Sequence, residues 1–433
     1  MTDVLTLGLL TSVALFALAV LLRARGQRAR IEATLATQPA SPPSLYPRIN
    51  REACICSGAC IEACPERDVI AIVDGRPRLV RASACVGHSD CLRSCPVSAI
   101  ELVLGTRERA VEVPVISGTF ESTVPGLFVA GEITGIGLIH NAVEQGKQAA
   151  RAALAEPRAA GAPPCDYDLI VVGAGPAGLG AALEAKVRGA RCLVLEKGEL
   201  GGAIKSYPRQ KIVMSAPFDL PGIGKLKLRR TSKEALLELF ADVLRRTQLT
   251  IQERAEVTAI HRGADGFSVE TRGQTLTARR VVLAIGRRGT PRRLGVPGED
   301  RGHVVYSLED PAHHAGAHVA VVGGGDSAVE AALALAAQPG TTVTLLHRGA
   351  DFGRCKPDNQ HALEQARAHG QLTVCTGAAV REVTSDHVLL SAPGAASKVR
   401  AQVVVCCLGA ELPSGWLRAL GLGLRELRGE PLW

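Results

Sequence analysis

Apolar and polar positions alternate in distinct regimes along this chain. Residues 4–22, VLTLGLLTSVALFALAVLL, carry no charge, close to the roughly 20 residues that a helix needs to cross a bilayer. From residue 166 onward, short apolar runs such as LIVV at 169–172, CLVL at 192–195, VAVV at 319–322 and VTLL at 343–346 alternate with longer amphipathic stretches. Runs of that length bounded by glycine or polar residues predict strands of parallel sheets joined by helices. Between the two regimes lies a segment, 51–105, dominated by cysteine.

The first run predicts a membrane anchor over residues 1–23. Asp3 precedes it, and Arg23, Arg25, Arg28 and Arg30 follow. That charge order is the reverse of a cleaved signal peptide, and the positive-inside rule then puts the bulk of a single-pass chain in the cytoplasm. Residues 24–50, rich in Ala, Pro and Ser, read as an irregular linker.

Composition adjusts this picture in two ways. With 433 residues, 46% of them hydrophobic, the chain has enough material for two or three full cores. Phe, Trp and Tyr make up only 3%, leaving few platforms for base stacking. The net charge of +8 is therefore no sign of nucleic-acid binding. Part of it sits in the arginines after the apolar run, and part in Lys225, Lys227, Arg229 and Arg230.

Seven of the 13 cysteines fall in two similar units, CICSGACIEACP at 54–65 and CVGHSDCLRSCP at 85–96. The duplication and the Cys-Pro endings resemble a bacterial two-cluster ferredoxin, in which the last cysteine of each unit serves the other cluster. A disulfide framework or a zinc site is the alternative. The resemblance implies one [4Fe–4S] cluster on Cys54, Cys60 and Cys95 with Cys56 or Ser57, and another on Cys85, Cys91 and Cys64 with His88. Two positions depart from the pattern, at Ser57 and His88. For His88 two readings stand, a ligand that raises the cluster potential because imidazole is neutral, or a loop residue beside an incomplete cluster. Cys56 is preferred over Ser57, since a thiolate forms more readily than an alkoxide.

Two dinucleotide fingerprints follow. LIVVGAGPAGLGAALEA at 169–185 places Gly173, Gly175 and Gly178 between a strand and a helix, and Glu196 closes the next strand. Such glycines let the backbone approach a pyrophosphate at a helix N-terminus, and the acid holds a ribose. HVAVVGGGDSAVEAALALA at 318–336 repeats the pattern with Gly323, Gly325 and Ala328, but its following strand ends in His347 and Arg348. Basic residues there favour the 2′-phosphate of NADP over NAD. Arg354 and Lys356 stand nearby as helpers, with a solvated loop as the alternative role for Lys356.

These motifs resemble the thioredoxin-reductase-like FAD/NAD(P)-binding pyridine nucleotide-disulfide oxidoreductases, with one rearrangement. The segment ESTVPGLFVAGEITGIGLIHNAVEQG at 121–146 is similar to the piece that ends the flavin domain in that family, yet here it precedes the first fingerprint. The resemblance implies a circularly permuted flavin domain. It implies flavin contacts at Gly131 and Glu132, at the Gly201-Gly202 loop and at Gly286 in the crossover VVLAIGRRG. The helix beginning near His140 would aim its N-terminus at the flavin, with His140 either bonding the ring or lying on the surface.

The implied organisation is multi-domain. It comprises the transmembrane helix at 1–23, an α+β ferredoxin-like domain at 51–105, and the flavin-closing segment at 106–154. A linker at 155–165 leads to the FAD domain at 166–290, the NAD(P) domain at 291–412 and a return segment at 413–433. The redox CxxC of thioredoxin reductases is absent, since VVYSLEDPAHHAGAH stands in its place. Cys406 and Cys407 lie on a strand, where neighbouring side chains face apart, and read as core. Cys165, Cys192, Cys355 and Cys375 are isolated and read the same way.

The expected function is a membrane-anchored NAD(P)H oxidoreductase carrying FAD, with NADP preferred to NAD. Its electrons would pass through its own clusters to an unnamed redox partner, with no side chain acting as acid or base and homodimerisation left open. Two alternatives stand beside it. One is a low-molecular-weight disulfide reductase, because HRGADFGRCKPDN and PRQKIVMSAPFDLPG resemble the bacillithiol-disulfide-reductase branch. The other is a membrane-bound redox or iron sensor without turnover. No P-loop, HExxH helix or hydrolase nucleophile competes as an active site.

Overall fold

The computed structural model describes residues 14–23, 25–26, 29, 31–33 and 45–433, save 67, 108, 157–163, 210, 229, 288–290, 393–394 and 432–433. It divides into two compact units, residues 1–103 and 104–433. The expected membrane anchor is not borne out. Among the described residues, no helix is long and apolar enough to cross a membrane. Residues 4–13 of the apolar run lie outside the described residues, and the described helix over 14–23 reaches its first arginine at Arg23. The membrane localisation and the cytoplasmic placement of the remainder rested on that helix and fall with it. The linker expected at 155–165 also lies largely outside the described residues.

In the first unit, β1 (Tyr46–Ile49) leads into the first cysteine loop and the short helix α1 (Ala59–Glu62). The hairpin of β2 (Ile70–Val73) and β3 (Arg76–Leu79) turns on Asp74 and Gly75, both at positive φ, as an Asp-Gly pair between apolar runs requires. A second cysteine loop, the short helix α2 (Asp90–Arg93) and β4 (Ile100–Leu104) complete the unit. β4 returns antiparallel to β1, pairing Tyr46 with Val103 and Ile49 with Ile100. Val69, Ile70 and Ile100 are packed with the thiols of Cys60, Cys85 and Cys91, so the core of this unit is built around its cysteines.

The second unit opens with β5 (Val111–Pro114), β6 (Leu127–Val129) and the helix α3 (Ile139–Ala153). There follow β7 (Tyr167–Val172), α4 (Pro176–Val187), β8 (Cys192–Leu195), β9 (Ile251–Gln252), and the antiparallel run β10 (Val257–Arg262), β11 (Phe267–Thr271) and β12 (Thr275–Leu283). In the sheet, β9, β8, β7 and β12 lie side by side and parallel. The far edge of β12 is shared. Residues 275–278 pair with β11, while Val281–Leu283 pair in parallel with Leu127–Val129 of β6. A strand that precedes β7 in the chain thus lies beyond β12 in the sheet.

α3 accompanies β6. It packs on α4 through Ala142, Val143, Ala149, Ala150 and Ala153, facing Ala177, Ala181, Ala182 and Ala185. Small side chains let two backbones approach closely, so this core needs few aromatics. A Cβ on Gly180 would stand 2.5 Å from the carbonyl oxygen of Val143, well inside van der Waals contact. At the rim of this interface the buried Glu184 receives Arg151 from α3 at 2.8 Å and Arg188 from its own helix at 2.9 Å.

A second parallel sheet follows the order β13 (Val304–Val305), β17 (Val403–Cys406), β14 (His318–Val322), β15 (Thr342–Leu346), β16 (Thr373–Cys375). α5 (Asp326–Ala336) and α6 (Pro357–Ala368) cover it, with α5 following β14. The chain then returns to the first sheet's neighbourhood. Trp416, on the helix Ser414–Ala419, donates to the carbonyl of Thr258 at 3.1 Å, and β18 (Leu424–Leu427) pairs antiparallel with β5. An ion pair of 2.6 Å between Lys211 and Glu330 of α5, and one of 3.4 Å between Arg209 and Asp310, join the two sheet regions.

Candidate functional site: two cysteine-lined hollows and two nucleotide loops

The cysteine loops repeat one backbone path. The left-handed φ of +57° at Cys56 matches +76° at Gly87, and +76° at Gly58 matches +71° at Ser89. Each loop then enters its short helix at the equivalent residue, Ala59 or Asp90. The path carries the side chains into two separate hollows. Cys54, Cys56, Ser57, Cys60 and Cys95 line one of them. Cys64, Cys85, His88 and Cys91 line the other. The last cysteine of each unit therefore stands with the other unit's set.

Burial pushes the Cys85 thiol up to about 11 and the Cys91 thiol up to about 12, and also raises Cys60 and Cys64. A coordinating iron reverses that preference, because a metal-bound thiol is deprotonated outright. Two sulfurs already accept backbone N–H groups, Cys95 from Ala99 at 3.2 Å and Cys54 from Cys56 at 3.4 Å. Such donors stabilise charge on cluster thiolates. Among the described residues, no group of three or more His, Cys, Asp or Glu is set to hold a single metal ion. The donor sets and N–H···S bonds fit iron–sulfur clusters.

In the second unit, Gly173 takes φ +107° at the end of β7, and Gly175 opens α4 with no side-chain cap. A Cβ on Gly178 would collide with the Gly173 carbonyl, whereas one on Gly175 would meet nothing within 4 Å. The third glycine serves close packing and the second leaves a cradle in front of unpaired helix N–H groups. Glu196 is buried, accepting from the N–H of Ala174 at 2.6 Å and of Gly198 at 2.8 Å. Gly201 donates to Ala174 at 3.0 Å, and Gly202 lies against Gly175. The first fingerprint, the acid and the Gly201-Gly202 turn thus form one locus. Gly286, at φ +64° just past β12, has open space at its Cβ position.

The early segment reaches the same place. A Cβ on Gly131 would be 2.8 Å from that of Ala177, in the first turn of α4. Gln145, buried in α3, accepts from the Gly131 N–H at 2.7 Å and from the Thr134 hydroxyl at 3.1 Å, which holds the turn carrying Glu132. Sequence reasoning missed Gln145, because nothing local marks a glutamine whose partner lies 14 residues back. It also missed Arg287, which donates to the Glu112 carbonyl at 3.1 Å. Burial lowers the Arg287 pKa, opposed by Glu132 and Glu112. His140 is half-buried in the first turn of α3.

At the second loop, Gly323 packs against Ala328, whose Cβ would be 2.8 Å from a Cβ on that glycine, and Gly325 opens α5. Asp326 accepts from the Lys356 backbone at 2.8 Å and from Asn359 at 2.7 Å. The imidazole of His347 fills the space beside Gly324 and Gly349, with its ring centroid 5.0 Å from that of Phe352. Burial lowers its pKa. Arg348 and Arg354 are exposed. Cys355 is fully buried, with its thiol pushed up to about 12. Cys406 and Cys407 join opposite cores.

Residues 170–431 match the pyridine nucleotide-disulphide oxidoreductase family. The chain belongs to that family. This oxidoreductase also matches a 4Fe–4S dicluster domain over residues 46–96. It is 31% identical over 265 residues to a ferredoxin–NADP reductase of Ignicoccus hospitalis, covering 60% of this chain and 82% of the relative. It is 27% identical to the bacilliredoxin reductase Bdr of Bacillus subtilis, covering 61% and 83%. Among solved structures, the bacillithiol disulfide reductase Bdr of Staphylococcus aureus resembles it with a TM-score of 0.54 and 26% identity, over 59% of this chain and 80% of that one. The oxidoreductase is therefore an NAD(P)H-dependent flavin enzyme with a 4Fe–4S domain. The family match begins at Ile170, so β6 and α3 lie outside the matched span.

Proposed function

We propose that this oxidoreductase draws electrons from NADPH and passes them, through its own iron–sulfur domain, to a redox partner. The observation that carries this reading is the pairing of two nucleotide loops with two cysteine-lined hollows in a chain without a CxxC beside those loops. FAD, when bound, supplies the conversion between a hydride donor and one-electron carriers. The chain's own residues bind and orient. Gly173, Gly175 and Gly178 leave room for a pyrophosphate at the start of α4, and Glu196 meets a ribose. Gly131, Glu132, Gly201, Gly202 and Gly286 border the same cofactor. Arg348 and Arg354 take the 2′-phosphate that selects NADP, with Gly323, Gly325 and Ala328 shaping the loop.

In this reading the flavin domain is circularly permuted. β6 and α3 complete its sheet from the front, and 413–433 is the return segment. Cys54, Cys60 and Cys95 bind one cluster, and Cys64, Cys85 and Cys91 the other.

Anaerobic titration of the purified chain with NADPH, followed by absorbance and electron spin resonance, tests the proposal. Bleaching at flavin wavelengths together with growth of cluster signals is expected. Cluster signals that stay silent while the flavin bleaches would overturn it. The likeness to Bdr favours one rival, an NADPH-dependent reductase of low-molecular-weight disulfides, and turnover confined to disulfides would establish that rival instead.

A further inference from the structure

The two hollows are alike in backbone and unlike in donors. Because the loops share one φ pattern, Cys56 corresponds to Gly87 and Ser57 to His88. In the second loop the first left-handed position, Gly87, is closed to side chains. A Cβ on Gly87 would stand 2.9 Å from the carbonyl oxygen of Leu45 and 3.1 Å from its Cβ. No thiol can enter that hollow from residue 87, and His88 is the donor that the loop brings there alongside Cys64, Cys85 and Cys91.

In the first loop the left-handed position is exposed and bears a cysteine. A non-glycine residue at such φ is strained, and here the strained residue lines the hollow with Cys54, Cys60 and Cys95. Ser57 lines it as well, but its hydroxyl gives up a proton far less readily than a thiol.

We propose that the two clusters are ligated unequally, one by four sulfurs including Cys56 and the other by three sulfurs and the imidazole of His88. This rests on the reading that residues 46–96 bind two clusters. Neutral imidazole in place of thiolate leaves a cluster less negative and raises its reduction potential. The His88 cluster is then the one that takes an electron first and keeps it, and the other is the stronger reductant. Transfer between them moves one electron, oxidising the four-sulfur cluster and reducing the His88 cluster. No bond changes and no co-reactant is needed.

The test uses the full chain, purified and reconstituted without oxygen. Potentiometric titration followed by electron spin resonance should resolve two midpoints in the parent. Nitrogen hyperfine coupling should appear in the signal of the higher-potential cluster only. In His88→Cys the coupling should vanish and the upper midpoint should fall toward the lower one, with iron content retained. In Cys56→Ala iron should be lost from the lower-potential cluster while Ser57→Ala leaves both clusters unchanged.

Absence of nitrogen coupling in the parent, or a His88→Ala protein with the parent's iron count, spectra and midpoints, would overturn the imidazole assignment. Full iron in Cys56→Ala together with loss in Ser57→Ala would overturn the thiolate assignment. A parent that takes up no iron–sulfur cluster at all would instead remove the underlying reading of residues 46–96, a result distinct from either.

Discussion

Gly146 of α3 and Ala177 of α4 meet backbone to backbone, so that a methyl group on Gly146 would overlap the Ala177 carbonyl. This contact seats the early helix on the helix that opens the first nucleotide loop. Gly146→Val is expected to lower stability by about 1–3 kcal/mol and to reduce FAD retained on purification. Gly118→Ala, where a Cβ meets nothing within 4 Å, is the control. Thermal unfolding and the ratio of flavin to protein absorbance read both effects, and equal behaviour of the two variants would remove the packing argument.

Gln145 should matter through its acceptor oxygen. Gln145→Leu leaves the buried Gly131 N–H without its partner, at a cost of about 1–3 kcal/mol, and loosens the turn that carries Glu132. A weaker FAD dissociation constant is expected for Gln145→Leu. Gln145→Glu, which keeps an acceptor at the same place, should retain more flavin, and fluorescence titration of the apoprotein compares them.

Glu184 links stability to pH. Burial alone would raise its pKa, but the hydrogen bonds and charges of Arg151 and Arg188 outweigh burial and leave it below the usual value of 4.5. A carboxyl depressed in the folded state contributes stability above its unfolded pKa, and that contribution is lost as pH falls through the folded value. Glu184→Gln should therefore cost about 1–2 kcal/mol near pH 7, with the arginines' exposure holding the figure low. The gap between parent and variant should stay level from pH 8 to 6 and close below about pH 4.5. Urea melts across that range measure it.

Arg354 should discriminate between the two nicotinamide nucleotides. Removing one charged contact to a phosphate costs about 1.5–3 kcal/mol, so Arg354→Ala should raise the KM for NADPH by roughly tenfold or more and leave that for NADH nearly unchanged. His347→Asn should shift the two constants together, because its ring packs against Gly324 and Gly349 and shapes the loop. Steady-state kinetics with a one-electron acceptor reads both.

The reading of residues 4–22 as a membrane anchor failed because an uncharged run in a sequence is only a permission to span. Glu196 and Gly173 were legible for the opposite reason, since strand, turn, helix and acid are fixed by neighbours in the chain and leave a local signature. The placing of Cys64 with Cys85 and Cys91, and of Cys95 with Cys54 and Cys60, was legible through the repeat. Gln145 and Arg287 were not, because their partners are set by packing and not by spacing.

The amino-acid sequence by itself determined the two nucleotide loops, the two cysteine units and the order in which they occur, because glycine patterns and cysteine spacing act over a few residues. Only the tertiary structure decided that β6 lies in parallel beside β12, that α3 rests on α4 through alanine and glycine, and that Gly87 is closed to a side chain while Cys56 is open. Those outcomes depend on backbone groups far apart in the chain coming within van der Waals distance, and no local pattern of residues encodes how closely they can pack.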